Sequence, residues 1–252
     1  MTPPRVEVLQ GRVAADALML CAPTVHQWVW DKRRDLFTRI HFGETLPEQL
    51  ADPVAYGVAR RCRFANGRIY LVCAYHFFHR WDWSSNNWPV IGWLIRWADS
   101  HPFDFEGVTV FLEHQPGTRP HDLVVTQAHD DLIFHALGQG RHAEAHIASC
   151  SHAVFPTAPM VESRGPDRRI YRPGEYRLIN MAEPGVLGFL RETAGPIMRK
   201  YGSVKMPWEV TDWRIRRKFG ARGERAWWED PEGLLRMAGA CGLLRPEHRI
   251  YL

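Results

Sequence analysis

A hairpin signal in the first third of the chain constrains the fold most strongly. Asn66-Gly67 separates the weakly alternating segment Gly57–Phe64 from the long apolar run Arg68–Phe78 (RIYLVCAYHFF). Asn-Gly favours a two-residue turn between antiparallel strands, because both residues tolerate the left-handed backbone conformation that such a turn needs. Further strands are predicted at Ala17–Val25, Gly107–His114, Asp122–Ala128, Ala145–Phe155 and Tyr176–Asn180.

Three other segments have helical character. They are Pro89–Asp99, Pro184–Tyr201 with a kink near Gly195-Pro196, and Pro231–Ala240 with proline at its start. Strands first, helices later and little alternation between them favour a mainly β (α+β) fold, namely an antiparallel β-sandwich with helical insertions and a helical C-terminal region. A doubly wound α/β sheet would need crossover helices between the strands, and the connections are too short for them.

Charge divides the chain into two parts. Residues 1–160 carry 14 basic and 16 acidic side chains, whereas residues 161–252 carry 18 and 12, a net charge of +6. We predict a β-sandwich core with the functional site in 1–160, and a basic, Trp-containing C-terminal extension packed on the same domain in 161–252. A basic surface can contact phosphates or an anionic membrane, although a solvated Arg-rich surface is the simpler interpretation.

Several classes of protein are disfavoured. No apolar stretch approaches the ~20 residues of a transmembrane helix, and the N-terminal segment, which contains Glu7 and Asp16, does not resemble a signal peptide. Five cysteines without metal-type spacing indicate reduced thiols, so a cytoplasmic location is predicted. Gly138-Gln139-Gly140 lacks the third glycine of a dinucleotide-binding motif, and no P-loop lysine motif occurs.

Histidines and carboxylates are concentrated in the middle of the chain. Ten of the 13 histidines fall within residues 76–152, and Ser100–Val108 (SHPFDFEGV) places His101, Asp104 and Glu106 together at a loop-to-strand junction. Alternation along a strand puts the two carboxylates on one face with core aliphatic residues. Unpaired anions on such a face need a cation, a proton or a basic partner. A divalent ion, with His101 entering from the preceding turn, meets this need; pairing with arginine at an exposed strand end is the alternative.

Other segments offer further ligands or catalytic groups. His129 ends one predicted strand, and His152 lies in SCSHAV, where small residues permit close approach of the backbone. His146 and His152 would be ~20 Å apart on one straight strand, so they cannot serve one ion without a bend; His152 is preferred. For His76 and His79, which follow an apolar strand, satisfied core or rim histidines are an equally good interpretation.

The ligand types bear on the identity of the ion. A set dominated by oxygen suits Mg²⁺, Mn²⁺ or Ca²⁺, which is the favoured interpretation, whereas more histidines in contact with the ion would favour Zn²⁺ or Fe²⁺.

At these residues the sequence resembles the necrosis-inducing (NLP) proteins and their vacuolar-sorting-associated relatives. The heptapeptide G-H-R-H-D-W-E of that family aligns with Ser100–Glu106 (SHPFDFE), which keeps the His, Asp and Glu and has Phe105 in place of Trp. The later V-A-x-G-S-H-A segment of the family resembles Ile147–Ala153, and Val124–His129 resembles the strand that ends in S-x-H. The resemblance covers roughly residues 68–157.

The resemblance implies a β-sandwich with a divalent cation in a surface cleft, ligated around His101, Asp104 and Glu106, with Asp82 contributing from the preceding loop. Members of the secreted branch damage plant membranes after binding sphingolipid head groups. The chain departs from the family in lacking a signal peptide and a framework of paired cysteines. Its other departures are Ser100, Pro102 and Phe103, which stand where the family has Gly, Arg and a second His.

Together these features predict a metal-dependent hydrolase acting on a phosphate ester or a related polar substrate. His129 or His152 would serve as general acid or base, and Arg80, Trp83 and Arg96 would bind the substrate. The alternative is a non-catalytic module that binds a lipid head group or a glycan, consistent with the surface aromatic residues expected at Trp81, Trp83 and Trp88.

Nucleic-acid binding through Arg214–Arg225 (RIRRKFGARGER) is a less favoured third hypothesis. A solvated helix face explains the same run of charges.

Overall fold

Two β-sheets pack face to face in the computed structural model, which describes residues 5–40, 52–64, 67–82, 101–113, 122–128, 131–138, 142–194, 196, 229–240 and 242–243. Within these residues, strands β1–β11 span Arg5–Val8, Thr24–Val29, Val54–Arg63, Ile69–Asp82, His101–Glu113, Leu123–Ala128, Asp131–Ala136, Glu144–Ile147, Val154–Phe155, Asp167–Tyr171 and Arg177–Asn180. Helices α1–α4 span Gly11–Cys21, Lys32–Asp35, Val186–Phe189 and Pro231–Ala240. A 3-10 turn occupies Ala158–Met160, and a π-helical turn, Leu190–Ala194, follows α3.

The larger sheet has the order β1-β3-β4-β5-β6-β7, with antiparallel neighbours throughout. Strand β11 also joins it, in parallel with the first half of β3, while β1 pairs with the second half. The smaller sheet has the order β10-β2-β8-β9, in which only β2 and β8 are parallel among the described strands. The predicted mainly β, largely antiparallel sandwich is confirmed.

Both faces of the larger sheet are covered, which explains why its central strands are nearly continuous apolar runs. On β4, Tyr70, Val72 and Phe78 face a core that α4 closes, whereas Tyr75 and Phe77 face the core between the two sheets. The smaller sheet and α1 supply the opposite wall of this second core through Leu18, Val25, Ala145, Ile147 and Val154. Functional side chains on that face of β4 are therefore held between the sheets.

The predicted hairpin joins β3 to β4, which pair in antiparallel register from Arg63–Ile69 onward. Phe64 N donates to Arg68 O and Gly67 N donates to Phe64 O, each over 2.9 Å. Gly67 has φ 81°, a left-handed conformation that glycine adopts without steric cost. Asn66 lies outside the described residues.

The strand predicted at Ala17–Val25 is wrong. Its first part belongs to α1, and β2 begins only at Thr24. The buried residues of α1 are Ala14, Ala17, Leu18 and Cys21, which recur at helical spacing and place one stripe against the sheet. A short apolar run contains both patterns, and tertiary packing selected the helix.

Other element predictions differ in outcome. The helix over Pro231–Ala240 is confirmed with the same bounds, and Pro184–Tyr201 contains α3 and the π-helical turn. The predicted strand Ala145–Phe155 is divided into β8 and β9 by a tight turn. The helix predicted over Pro89–Asp99 lies outside the described residues.

The segment after residue 160, predicted as an extension packed on the same domain, supplies β10 to the smaller sheet and β11 to the larger one. Arg214–Arg225 lies outside the described residues. Among the helices that the structure describes, none combines the length and apolar character needed to cross a membrane. The four cysteines of the described ranges are buried and carry reduced thiols.

Candidate metal centre

Buried polar side chains meet where the two sheets face each other. His79 on β4 and Asp104 on β5 are partners in the antiparallel register, and His152 approaches them from the turn between β8 and β9. Ligand atoms of these three residues all lie within 4.8 Å of one another. Both histidines are fully buried, and Asp104 is 8 % exposed. We refer to His79, Asp104 and His152 as the interior triad.

An unusual backbone carries His152 into this position. His152 has φ 54° and Cys150 has φ 72°, left-handed values that are uncommon for residues other than glycine. Ala148 N donates to Ala153 O over 3.0 Å and closes the turn. Such strain persists only where surrounding contacts hold it, and it is concentrated at functional sites. The turn therefore provides the bend that a straight strand over these residues would lack.

Asp35, at the end of α2, is the residue that holds this turn. Its Oδ2 accepts from Trp30 N over 2.6 Å and from Asp31 N over 2.8 Å. Its Oδ1 accepts from Cys150 N over 3.0 Å and lies 3.4 Å from His152 Nε2. Asp35 is fully buried, so one carboxylate fixes both the backbone of the turn and the orientation of the His152 ring.

His79 is held by Gln27, a buried residue of β2. His79 Nε2 lies 3.2 Å from Gln27 Oε1. Burial, and secondarily the positive charge of His152, lower the pKa of His79 well below its usual value, so the ring is neutral. A neutral imidazole that donates through Nε2 has its lone pair on Nδ1. This Nδ1 is buried without a hydrogen-bond partner among the described residues.

The charge of His152 is set by two carboxylates. Burial lowers its pKa, but close contacts with Asp104 and Asp35 outweigh burial and raise the pKa to about 9. His152 Nδ1 lies 3.5 Å from Asp104 Oδ2. Burial would raise the pKa of Asp35, yet the contact with His152 and the backbone N–H groups of Asp31 and Cys150 hold it below the usual value. A protonated His152 between two carboxylates results.

These contacts are ion pairs without aligned hydrogen bonds. Both ring nitrogens of His152 and Oδ2 of Asp104 are buried and have no hydrogen-bond partner within the described part of the chain. Together with Nδ1 of His79, they form a set of polar atoms for which burial without a partner is costly. Once His152 has lost the proton on Nδ1, a bound cation would accept the lone pairs of both Nδ1 atoms and of Asp104 Oδ2.

The donor set passes a geometric test for a metal ion, with two requirements. A tetrahedral ion with bonds of ~2.0–2.1 Å separates its ligands by ~3.3 Å, close to the 3.5 Å between His152 Nδ1 and Asp104 Oδ2. The rings of His79 and His152, however, are stacked with centroids 4.0 Å apart and planes 5° apart. Since an imidazole binds along a lone pair in its own plane, one ring must rotate, and His152 must release a proton, before both can hold one ion.

The structure brings together two of the residues predicted from sequence, Asp104 and His152. Glu106 is buried two residues along β5 on the same face as Asp104 and pairs with Phe77 in the register. Asp82 pairs with His101 at the end of β4 and β5. Because Asp82 is three residues beyond His79, strand alternation directs it to the opposite face of the sheet from the interior triad.

The other predicted residues have different positions. Arg80 is half-buried on β4 and, as the neighbour of His79, alternates to the other face of the sheet. The side chain of His101 lies outside the described part of the chain, as do His129, Trp83 and Arg96. Sequence reasoning did not identify Gln27 or Asp35, and it left the role of His79 open.

Comparison with known proteins found no matching family model, curated protein or solved structure. The chemistry of the interior triad is therefore argued from its own geometry.

Proposed function

We propose that the protein binds a divalent metal ion through Nδ1 of His79, Nδ1 of His152 and Oδ2 of Asp104. One observation carries the proposal: a ligand atom of each of the three residues lies within 4.8 Å of the other two, and Nδ1 of both rings and Oδ2 of Asp104 are buried without hydrogen-bond partners among the described residues. The Nε2 atoms of the two rings face Gln27 and Asp35. Metal-binding histidines characteristically present the second ring nitrogen to a carboxylate or carbonyl oxygen. That contact selects the tautomer and orients the ring.

The ligand set favours Zn²⁺ or Fe²⁺ as the ion. Two imidazole nitrogens and one carboxylate oxygen suit these metals, whereas Mg²⁺ and Ca²⁺ prefer oxygen ligands throughout. The oxygen-rich set predicted from sequence favoured Mg²⁺, Mn²⁺ or Ca²⁺; with His79 and His152 as ligands, the preference changes.

We further propose hydrolysis of a phosphate ester or a related polar substrate. Three protein ligands leave a coordination position for water or substrate, as in catalytic rather than structural zinc sites. A divalent ion in such a site supplies a water of lowered pKa and polarises the bond to be cleaved. Asp35 is placed to accept a hydrogen bond from Nε2 of His152 and to keep that ring oriented. Asp104 alone among the interior triad has exposed surface and marks the side from which a substrate can approach.

We also propose a relationship to the necrosis-inducing proteins. The contact between Asp104 and His152 supports it, because each residue lies in one of the two motifs that resemble that family. It leads to the second candidate function, in which the ion holds a lipid or glycan head group without turnover. Trp81 favours this candidate: it is two residues beyond His79 on the same face of β4 and is 37 % exposed.

Elemental analysis of protein purified without chelator tests the centre. We expect the wild type to retain Zn or Fe through dialysis, and His79→Gln and Asp104→Asn each to retain one ion per chain fewer than the wild type. His135→Gln, on β7 and outside the interior triad, is the matched control and keeps the ion. Unchanged metal content in Asp104→Asn would remove this site from consideration.

Activity assays then separate the two functions. We expect the loaded wild type and the His135→Gln control to cleave chromogenic phosphate monoesters or diesters, and Asp104→Asn to lose at least 100-fold. Bound metal without hydrolysis, combined with chelator-sensitive binding to vesicles that contain glycosylated sphingolipid, would select the head-group-binding function instead.

A further inference from the structure

A second group of histidines lies on the outer face of the smaller sheet. His26 on β2 and His146 on β8 are partners in the parallel register, and Glu144 precedes His146 by two residues on the same face. The residues that alternate with them face the larger sheet: Val25 and Ile147 belong to the core between the sheets, and Gln27 contacts His79. Strand alternation therefore directs this outer cluster, His26, Glu144 and His146, away from the interior triad.

The carboxylate of Glu144 lies beside both rings. His146 Nε2 is 2.8 Å from Glu144 Oε2, and His26 Nε2 is 3.9 Å from Glu144 Oε1. The two imidazoles stack with centroids 4.4 Å apart and planes 13° apart. Both nitrogens of His26 and Nδ1 of His146 are buried and lack hydrogen-bond partners among the described residues. Glu144 is half-exposed and connects the cluster to solvent.

We propose that His26, Glu144 and His146 form a second metal site, which binds Zn²⁺, Cu²⁺ or Ni²⁺ and is independent of the interior triad. An ion with bonds of ~2.0–2.1 Å and angles between tetrahedral and octahedral values separates its ligands by ~2.9–3.4 Å. The two histidine–carboxylate distances, 2.8 and 3.9 Å, bracket this range. The stacked rings cannot both direct an in-plane lone pair at one ion, so one ring must rotate, and rotation of the His26 ring breaks no hydrogen bond within the described residues.

The protonation of the two rings suits this role. Burial is the main cause that lowers the pKa of His26 and of His146, so both rings are neutral at neutral pH. The neighbouring ring also lowers the pKa of His26, whereas Glu144 opposes the shift in both. A neutral imidazole is the form that binds metal, because it keeps a lone pair. In the neutral His146 ring the contact with Glu144 puts the proton on Nε2, so this proton moves to Nδ1 when Nε2 binds the ion.

The surrounding charges select the kind of ion. The guanidinium carbons of Arg164 and Arg168 lie 5.5 and 5.3 Å from the ring centroid of Trp28, which follows His26 by two residues on the same strand. Their positive charge opposes ions held mainly by electrostatic attraction to oxygen, such as Ca²⁺ and Mg²⁺. Ions that bond strongly to imidazole tolerate it better. The carboxylate of Glu144 beside the two rings, in turn, disfavours an inorganic anion at the same place.

A metal ion at the outer cluster would link β2 to β8. These strands are distant in sequence, and they form the parallel pair at the centre of the smaller sheet. Binding that requires both strands in register stabilises the folded state over the unfolded chain by mass action. The ion would therefore act on the sheet that carries Gln27 and the turn with His152.

Calorimetric titration of chelator-stripped protein with Zn²⁺ tests the proposal. We expect Asp104→Asn, in which the interior triad is disabled, to bind one Zn²⁺ per chain. Adding His26→Gln or His146→Gln to that background weakens the binding at least tenfold, whereas adding His135→Gln leaves it unchanged. Titration with Ca²⁺ or Mg²⁺ is expected to give no binding at this site.

Single variants of the wild type keep the test decisive if Asp104→Asn does not fold. His26→Gln, whose native fold is checked by circular dichroism, then lowers the Zn²⁺ stoichiometry by one. Equal stoichiometry and affinity with and without His26→Gln and His146→Gln, or no Zn²⁺ binding beyond that lost with the interior triad, would overturn the outer site. Loss of the interior ion alone refutes the proposed function and leaves this inference standing.

Discussion

Replacing His152 by asparagine tests whether this ring is charged between two buried carboxylates. Asparagine is among the residues that tolerate the left-handed backbone at this position. Folding raises the pKa of His152 from 6.5 to about 9, so the folded state binds the proton more tightly than the unfolded chain. The resulting stabilisation is complete below pH 6.5 and is lost as the pH rises through 9.

The size of the effect follows from the shift. A pKa raised by the difference between 6.5 and about 9 corresponds to at most about 3 kcal/mol of folding free energy. Between pH 7 and pH 8.5, about 2 kcal/mol of this is lost, before cysteine deprotonation contributes strongly. His76 and His79, whose pKa values burial lowers, act in the opposite sense and destabilise the fold at acid pH. The difference between wild type and variant isolates His152 from them.

Urea denaturation of wild type and His152→Asn at several pH values, in the presence of chelator, measures this difference. We expect the difference in the free energy of unfolding to decrease by about 2 kcal/mol from pH 7 to pH 8.5. It should persist at 1 M salt, because a buried pair is screened little. A difference that changes by less than about 0.5 kcal/mol over this range would refute the charged arrangement.

Three further outcomes are expected. Asp35→Asn lowers the free energy of unfolding, measured in denaturant, by about 3 kcal/mol, because it removes a buried partner of the charged His152 ring and places amide hydrogens against backbone N–H donors. A loss of stability no larger than that of the exposed control Glu7→Gln would contradict this role of the carboxylate. Gly165→Ala lowers the free energy of unfolding by about 2–3 kcal/mol in the same assay, because its Cβ would overlap the backbone of Val29. The control Gly188→Ala, with nothing near its Cβ, keeps the stability of the wild type. Equal stability of the two variants would disprove the close approach of Gly165 to Val29. Removing bound ion with a chelator lowers Tm by about 5–10 °C relative to protein at 100-fold excess over Kd, and added Zn²⁺ restores it; an unchanged Tm in calorimetry excludes a stabilising ion.

Local patterns were enough to place part of the site. Alternation along β5 predicted that Asp104 and Glu106 share a face, and both are buried on the face toward the smaller sheet. Alternation is a property of the strand alone, so it can be inferred without knowing the neighbouring strand. Distance along a strand indicated that His146 and His152 could not serve one ion, and the small residues of SCSHAV favoured His152. His146 lies on the outer face of the smaller sheet.

The partners of these residues depend on long-range register, which the sequence does not encode locally. His79 meets Asp104 because β4 and β5 pair across a long connection, and no feature of that connection specifies the alignment. Asp35 lies in DKRRD, a run of charges typical of a solvated surface. Its burial is compensated by hydrogen bonds from Trp30 N, Asp31 N and Cys150 N, and the last of these donors is 115 residues away.

The position of β10 and β11 has a consequence for synthesis of the chain. A nascent chain that has not yet reached residue 167 leaves β2 without its antiparallel neighbour and half of the edge of β3 unpaired. Exposed strand edges of this kind are templates for pairing with other chains. Completion of both sheets therefore waits until residues 167–180 have been synthesised, so the growing chain exposes these edges to association with other chains until then.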